Sequence, residues 1–438
     1  MKRLWWCSVS PLVVALLLGG AASAQQAPAL GERPPLPNAS DGPRPDQGPD
    51  DPDSTPDPQV DSPLPPKKSV WKTGQYQMSL GATLATIFDD NIYALSSNKI
   101  SDTIFVVRPE AGLDLRGDNY ASSARVAVEN RTYSRNSGES QINGSASIGT
   151  TVQPSGDFQI KSRLGYARAH EQRGAAESIY LSFDKPVQLD QYDGAIVFNK
   201  RFGRWWTSLG GARTWYHYTD PTILGIPIDQ SYRNGNVNVG TGRVGVVVAP
   251  LTSVFAEVSG NARNFEVDSF DSRGFRVVGG MLFEPGPGAR VKGEFFAGYM
   301  EQDYSGATFQ AIRTITYGGL MAFKLDPQMT LTFDGRREAK ESALNGGVSV
   351  LESVVSGRLD FHITSKLTVG VGVSYLNQTF YGASRIDQTW GPLASIKYAF
   401  TPNIAAGIEY RYIGFDSSGL GTNSYSRNAV MFTLAGRI

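Results

Sequence analysis

Cysteine is nearly absent: one thiol, Cys7, in 438 residues. A single thiol builds neither an internal disulfide framework nor a multi-thiolate metal site. Charge imbalance is absent too, with 41 Lys plus Arg against 41 Asp plus Glu. Without a basic field there is nothing to hold a phosphate backbone, so nucleic acid is not an expected partner. Charged residues make up only 19% of the chain, which is unlike a highly charged disordered protein. Nor is there an apolar run of about 18 residues, the minimum for a membrane-crossing helix. Histidine is limited to His170, His217 and His362, widely spaced and at the ends of expected strands, where interfacial or solvated positions are their expected place. Gly-x-Ser-x-Gly, His-Glu-x-x-His and P-loop motifs are all missing, so no catalytic residue, cofactor or metal is expected. Asp89 and Asp90 lack the regular ligand spacing of a calcium loop and are explained by turn formation.

What the sequence does contain falls into three parts. Lys2 and Arg3, a short apolar stretch over 12–18 and the small-residue site Ala22-Ser23-Ala24 read as a secretory signal peptide over 1–24. Cleavage after Ala24 leaves a chain without cysteine, which suits a Gram-negative envelope protein better than a disulfide-stapled eukaryotic one. Residues 25–68 hold 13 prolines and eight acids against four bases. That composition cannot bury a core and is expected to form a disordered, extended spacer on the periplasmic side. Residues 69–438 are the third part.

There, alternation dominates. In Leu367-Thr368-Val369-Gly370-Val371-Gly372-Val373-Ser374-Tyr375 one face is apolar and the other small and polar, the period-two signature of a strand. Eight tight turns recur: Arg116-Gly117-Asp118-Asn119, Pro154-Ser155-Gly156-Asp157, Phe202-Gly203-Arg204, Pro250-Leu251-Thr252, Pro285-Gly286-Pro287-Gly288, Asp326-Pro327-Gln328, Thr364-Ser365-Lys366 and Thr401-Pro402-Asn403. Longer polar connections alternate with them, at 89–101, 172–184, 219–230, 269–273 and 417–424. Eight turns separate nine hairpins, so the expected fold is all-β: a transmembrane antiparallel β-barrel of about 18 strands, 16 to 20 if one hairpin is misplaced. A propeller blade would need four short strands per repeat, whereas these runs are long enough to cross a bilayer, which takes about 9–11 residues. Only closed barrels or helices satisfy every backbone amide in lipid.

The last strand fits the same pattern, with Val430, Phe432, Leu434, Gly436 and Ile438 outward and Arg427, Ala429, Met431, Thr433, Ala435 and Arg437 inward. Such a terminal strand is the expected contact for the barrel-insertion machinery. Its final residue, Ile438, departs from the common Phe. Trp71, Tyr76, Trp205, Trp206, Trp215, Trp390, Tyr398, Phe400, Tyr410 and Tyr412 are expected to form interfacial girdles against lipid and lipopolysaccharide. The segment Asp89-Asp90-Asn91-Ile92-Tyr93, followed by Asp102-Thr103-Ile104-Phe105-Val106-Val107-Arg108-Pro109-Glu110, resembles the opening of the putative β-barrel porin 2 family. The resemblance implies an outer-membrane barrel and, for many such proteins, a part in exopolysaccharide or capsule production with periplasmic export components as partners.

With apolar faces outward, the pore lining is expected to include Arg108, Glu110, Arg125, Glu129, Arg131, Arg163, Glu257, Glu294, Asp334, Arg336, Glu338, Arg358, Asp360, Glu409 and Arg411. The same charges on the lipid face would cost about 2–4 kcal/mol each near the midplane. A mixed lining suits hydrated, sugar-like cargo; ion-pair bracing of a wide barrel explains it equally. A polysaccharide-export channel, a general diffusion porin and a structural or adhesive barrel all remain open at this point.

Overall fold

The computed structural model describes residues 62–64, 76–174, 183–286, 288–341, 349–419 and 424–438. The expected signal peptide, most of the proline-rich segment and Trp71 lie outside the described residues. The strands in chain order are β1 (Tyr76–Asp89), β2 (Asp102–Arg116), β3 (Tyr120–Tyr133), β4 (Gln141–Ser155), β5 (Phe158–His170), β6 (Gln188–Phe202), β7 (Trp205–Tyr218), β8 (Thr222–Ile223) and β9 (Ile226–Pro227). They continue as β10 (Gly235–Ala249), β11 (Thr252–Phe265), β12 (Ser272–Phe283), β13 (Val291–Tyr304), β14 (Ile312–Lys324), β15 (Met329–Glu341) and β16 (Ser349–His362), then β17 (Leu367–Tyr381), β18 (Arg385–Thr401), β19 (Ile404–Ser418) and β20 (Tyr425–Arg437). β8 and β9 form a small hairpin of their own; the other 18 strands form one sheet.

Each barrel strand pairs antiparallel with its sequence neighbour, and β20 returns to β1 with Gly81 opposite Arg437 and Asp89 opposite Ala429. The sheet therefore closes on itself as a barrel. All eight tight turns fall between strands at one end, which also carries the start of β1 and the end of β20. The other end carries the longer connections, with one exception: β17 and β18 are joined by residues 382–384 alone, where Gly382 has φ +92°. A positive φ costs glycine little, which lets three residues reverse the chain.

Alternation sets the two faces. On β1, Met78, Leu80, Leu84 and Phe88 are exposed while Thr83, Ala85, Ile87 and Asp89 are buried. On β20, Phe432, Leu434 and Ile438 are exposed and Ala429, Met431, Thr433 and Ala435 are buried, as expected. Exposed Leu, Val, Ile and Phe thus tile the outer wall, the face that a transmembrane barrel turns to lipid. Pro109 and Pro392 have no N–H to give, and the β2–β3 and β18–β19 registers skip them. Among the described residues no helix is long and apolar enough to cross a membrane.

Candidate functional site

The barrel interior is where the charged side chains meet. Parity along each strand puts all 15 candidate residues on the face opposite the exposed apolar one. Four pairs arise within a single strand at a spacing of two, which places both side chains on one face. Arg131 donates to Glu129 at 2.6 Å, Arg358 to Asp360 at 2.9 Å and Arg411 to Glu409 at 2.9 Å, and Arg336 lies 3.1 Å from Glu338. Arg125 reaches Asp114 on the neighbouring strand at 2.5 Å. Glu110 lies over Gly81, whose missing Cβ leaves room for its carboxylate. Arg163 stands 3.6 Å from Asp193. Arg108 shares its face of β2 with Glu110, and Asp334 sits opposite Ser356.

The densest network spans four strands. Arg243 on β10 donates to Glu257 on β11 at 2.8 Å and to Glu294 on β13 at 2.7 Å, while Arg276 on β12 donates to Glu257 at 2.8 Å. Glu257 is only 2% exposed. Two cations and two carboxylates balance in charge, and Arg243 and Arg276 also stack over Phe255 and Phe296. Arg243 and Arg276 were not among the expected lining residues. On the first half of β10 the inward set holds Val237 and Val239 while Asn236 and Asn238 face outward, so the local pattern inverts the polarity that marks the two faces elsewhere. A second missed group is Lys340, Glu352 and Gln378, all buried. Lys340 lies 2.9 Å from Glu352, Gln378 donates to the same carboxylate at 2.8 Å, and Arg336 reaches it at 3.2 Å.

At the long-loop end, buried ion pairs tie the connections together. Arg427 donates to Asp89 at 2.6 Å. The carboxylate of Asp89 also accepts the Asn91 N–H at 2.8 Å, and Asn91 bonds the Leu95 and Ser426 carbonyls. The Asp89-Asp90-Asn91 run therefore clamps β1 to β20 where the barrel closes, which confirms a turn role. Arg173 pairs bidentately with Glu139 at 2.8–2.9 Å and bonds the Phe183 carbonyl; Arg233 pairs with Glu171. Tyr425 on β20 donates to the Gly174 carbonyl of the β5–β6 connection, and Gly174 at φ +83° sits against Ala94. Connections from distant strands thus meet over the mouth. In that layer Asp184 accepts the Leu224 and Gly225 amides and the Thr222 hydroxyl, which hold its carboxyl below the usual aspartate range. Of the expected girdle, Trp205, Trp390, Tyr398, Phe400 and Tyr410 are exposed on the outer wall. Trp206 is not: it is 2% exposed and turns inward onto Phe255 and Leu282, because consecutive residues of a strand cannot share a face.

At the short-turn end Arg201 donates to Glu284 at 3.2 Å and Lys200 to Asp157 at 2.7 Å. Pro63 is buried beside Gly407, 3.4 Å from where its Cβ would stand. Among the described residues no group of three His, Cys, Asp or Glu could hold a metal ion.

Solved structures of similar fold include the outer membrane protein OpdK from Pseudomonas aeruginosa, at 10% identity over 83% of this chain and 99% of that one, with a TM-score of 0.44. The siderophore receptor PirA from Acinetobacter baumannii matches at 8% identity over 85% and 81%, with a TM-score of 0.41. A bacterial polysaccharide outer membrane secretin matches at 8% identity over 82% and 98%, with a TM-score of 0.35. At these values the likeness carries no argument about what the chain does. No curated protein matches the chain. The family model for putative beta-barrel porin 2 matches residues 71–438, the whole barrel, and the chain belongs to that family.

Proposed function

We propose that the protein is a non-enzymatic, gated channel of a Gram-negative outer membrane that passes a hydrated saccharide chain outward. In this reading the short turns and the proline-rich segment face the periplasm, the long connections face outside, and the outer wall contacts lipid and lipopolysaccharide. The terminal strand serves the insertion machinery, and periplasmic export components meet the short-turn end. The observation that carries the reading is the mouth. Buried ion pairs and crossing connections occupy it, whereas a general diffusion porin needs a standing aqueous path. The lining supports a neutral polar cargo, since its cations are matched by carboxylates and it offers hydroxyl partners rather than one sign of charge. Exopolysaccharide is the cargo that the family resemblance implies.

Planar-bilayer recording of the purified barrel tests this. A mostly closed protein whose brief openings are blocked by neutral saccharide oligomers is the expected result. A large, constantly open current would instead favour the diffusion porin.

A further inference from the structure

The ladder between β14 and β15 is incomplete. It runs from Lys324 opposite Thr330 up to Gly318 opposite Arg336 and stops there. Yet β14 stays paired with β13 up to Ile312, and β15 stays paired with β16 along its full length to Glu341. The two hairpins therefore part company above Gly318, towards the long-loop end. Side chains bridge the gap where backbone amides do not: Thr316 donates to the Arg337 carbonyl at 2.7 Å, and Arg263, from β11, donates to the Ala339 carbonyl at 2.9 Å. β11 is four strands from β15 around the wall, so Arg263 reaches it only through the interior.

Packing gives the direction of the displacement. Ala339 and Leu351 share the parity of Phe333 and Val355, which are exposed on the outer wall. Higher up, however, Ala339 and Leu351 are buried in one cluster with Met300 and Ile312, whose strand partners face the interior. The outward face of the β15–β16 hairpin thus lies on the inward face of β13–β14. Its other face carries Val350 against Phe380 and Phe415. The described part of the hairpin at this end, residues 337–340 and 349–354, is folded into the mouth and sandwiched there. We propose that it is the gate of the channel: it swings outward about Gly318 and Arg336, zips the missing β14–β15 ladder and clears the interior. The ladder continued upward in its existing register sets Thr316 opposite Glu338, a pair that forms only in the outward position. This proposal rests on the channel reading above.

Two disulfide traps in the full-length protein test it, with Cys7 the sole native cysteine. Met300→Cys with Ala339→Cys holds the hairpin inward; Thr316→Cys with Glu338→Cys captures it outward. Bond formation is scored by thiol alkylation, and opening by single-channel recording. The expected result is that the oxidised inward trap opens at least tenfold less often than its reduced form, with recovery on adding reductant, and that the outward trap forms and stays open when oxidised. Equal opening of the oxidised and reduced inward trap would overturn the gate while leaving the channel standing. An outward trap that never cross-links in a conducting protein does the same. If the unmodified protein and both traps all fail to conduct, the channel reading falls and the gate with it.

Discussion

Glu257→Gln separates ion pairing that holds the wall from charge that merely lines it. The substitution keeps shape and removes one charge. Glu257 is 2% exposed and accepts from Arg243 and Arg276, both at 2.8 Å. Each charge-assisted bond contributes about 1.5–3 kcal/mol, and the glutamine amide recovers one neutral bond of about 1 kcal/mol. Arg243 retains Glu294, which limits the desolvation cost of its now unmatched charge. The net expected loss is about 2–5 kcal/mol. The control is Arg125→Ala, whose side chain is 41% exposed beside Asp114; a water-screened pair of that kind is worth about 0–1 kcal/mol. Both variants are unfolded by urea in lipid vesicles, with the folded fraction read from heat-modifiable migration on gels. The same charge change should move the zero-current potential towards anions, since a network of two cations and two carboxylates becomes net positive. Equal stability of the two variants, or an unmoved potential, refutes the reasoning.

Three further perturbations address other parts of the structure. Asp89→Asn removes the anion from Arg427 at the barrel closure, where both side chains are buried; a loss of about 3–5 kcal/mol and faster proteolysis within 90–101 are expected, and an unchanged cleavage rate would contradict the clamp. Asp184 has a lowered carboxyl pKa, so its share of stability is complete above the ordinary aspartate value of about 4. That share is lost as pH falls through the lowered folded value; the Leu224 and Gly225 amides should keep their exchange protection at pH 5 and lose it in stronger acid, while Asp184→Asn should flatten the response. Leu209→Arg, at a position 64% exposed on the outer wall, should cost about 2–4 kcal/mol if lipid covers it, and no cost would mean that water does.

Much of the barrel was legible because strand, turn and face all follow local rules. Phe202-Gly203-Arg204 needs only a glycine at φ +62° to turn, and Arg411 with Glu409 needs only a spacing of two to share a face. What resisted was set by distant partners. Arg243 finds Glu294 from 51 residues away, on a strand whose first half carries valines inward and asparagines outward. Trp206 was misplaced because aromatic content near a turn suggests a girdle, while parity decides which of two adjacent tryptophans faces lipid. Inward folding of β15–β16 leaves no local mark, since Ala339 and Leu351 continue the outward alternation and only their burial against Met300 and Ile312 reveals it.

The central claim, export of a saccharide through this barrel, is tested most directly by measuring surface polysaccharide in a strain lacking the gene, complemented with the unmodified protein or with the inward-trapped Met300→Cys, Ala339→Cys variant. Loss of surface polymer in the deletion, restoration by the unmodified protein and restoration by the trapped variant only under reducing conditions is the predicted result. Unchanged amount and chain length of the polymer in the deletion strain would contradict the account.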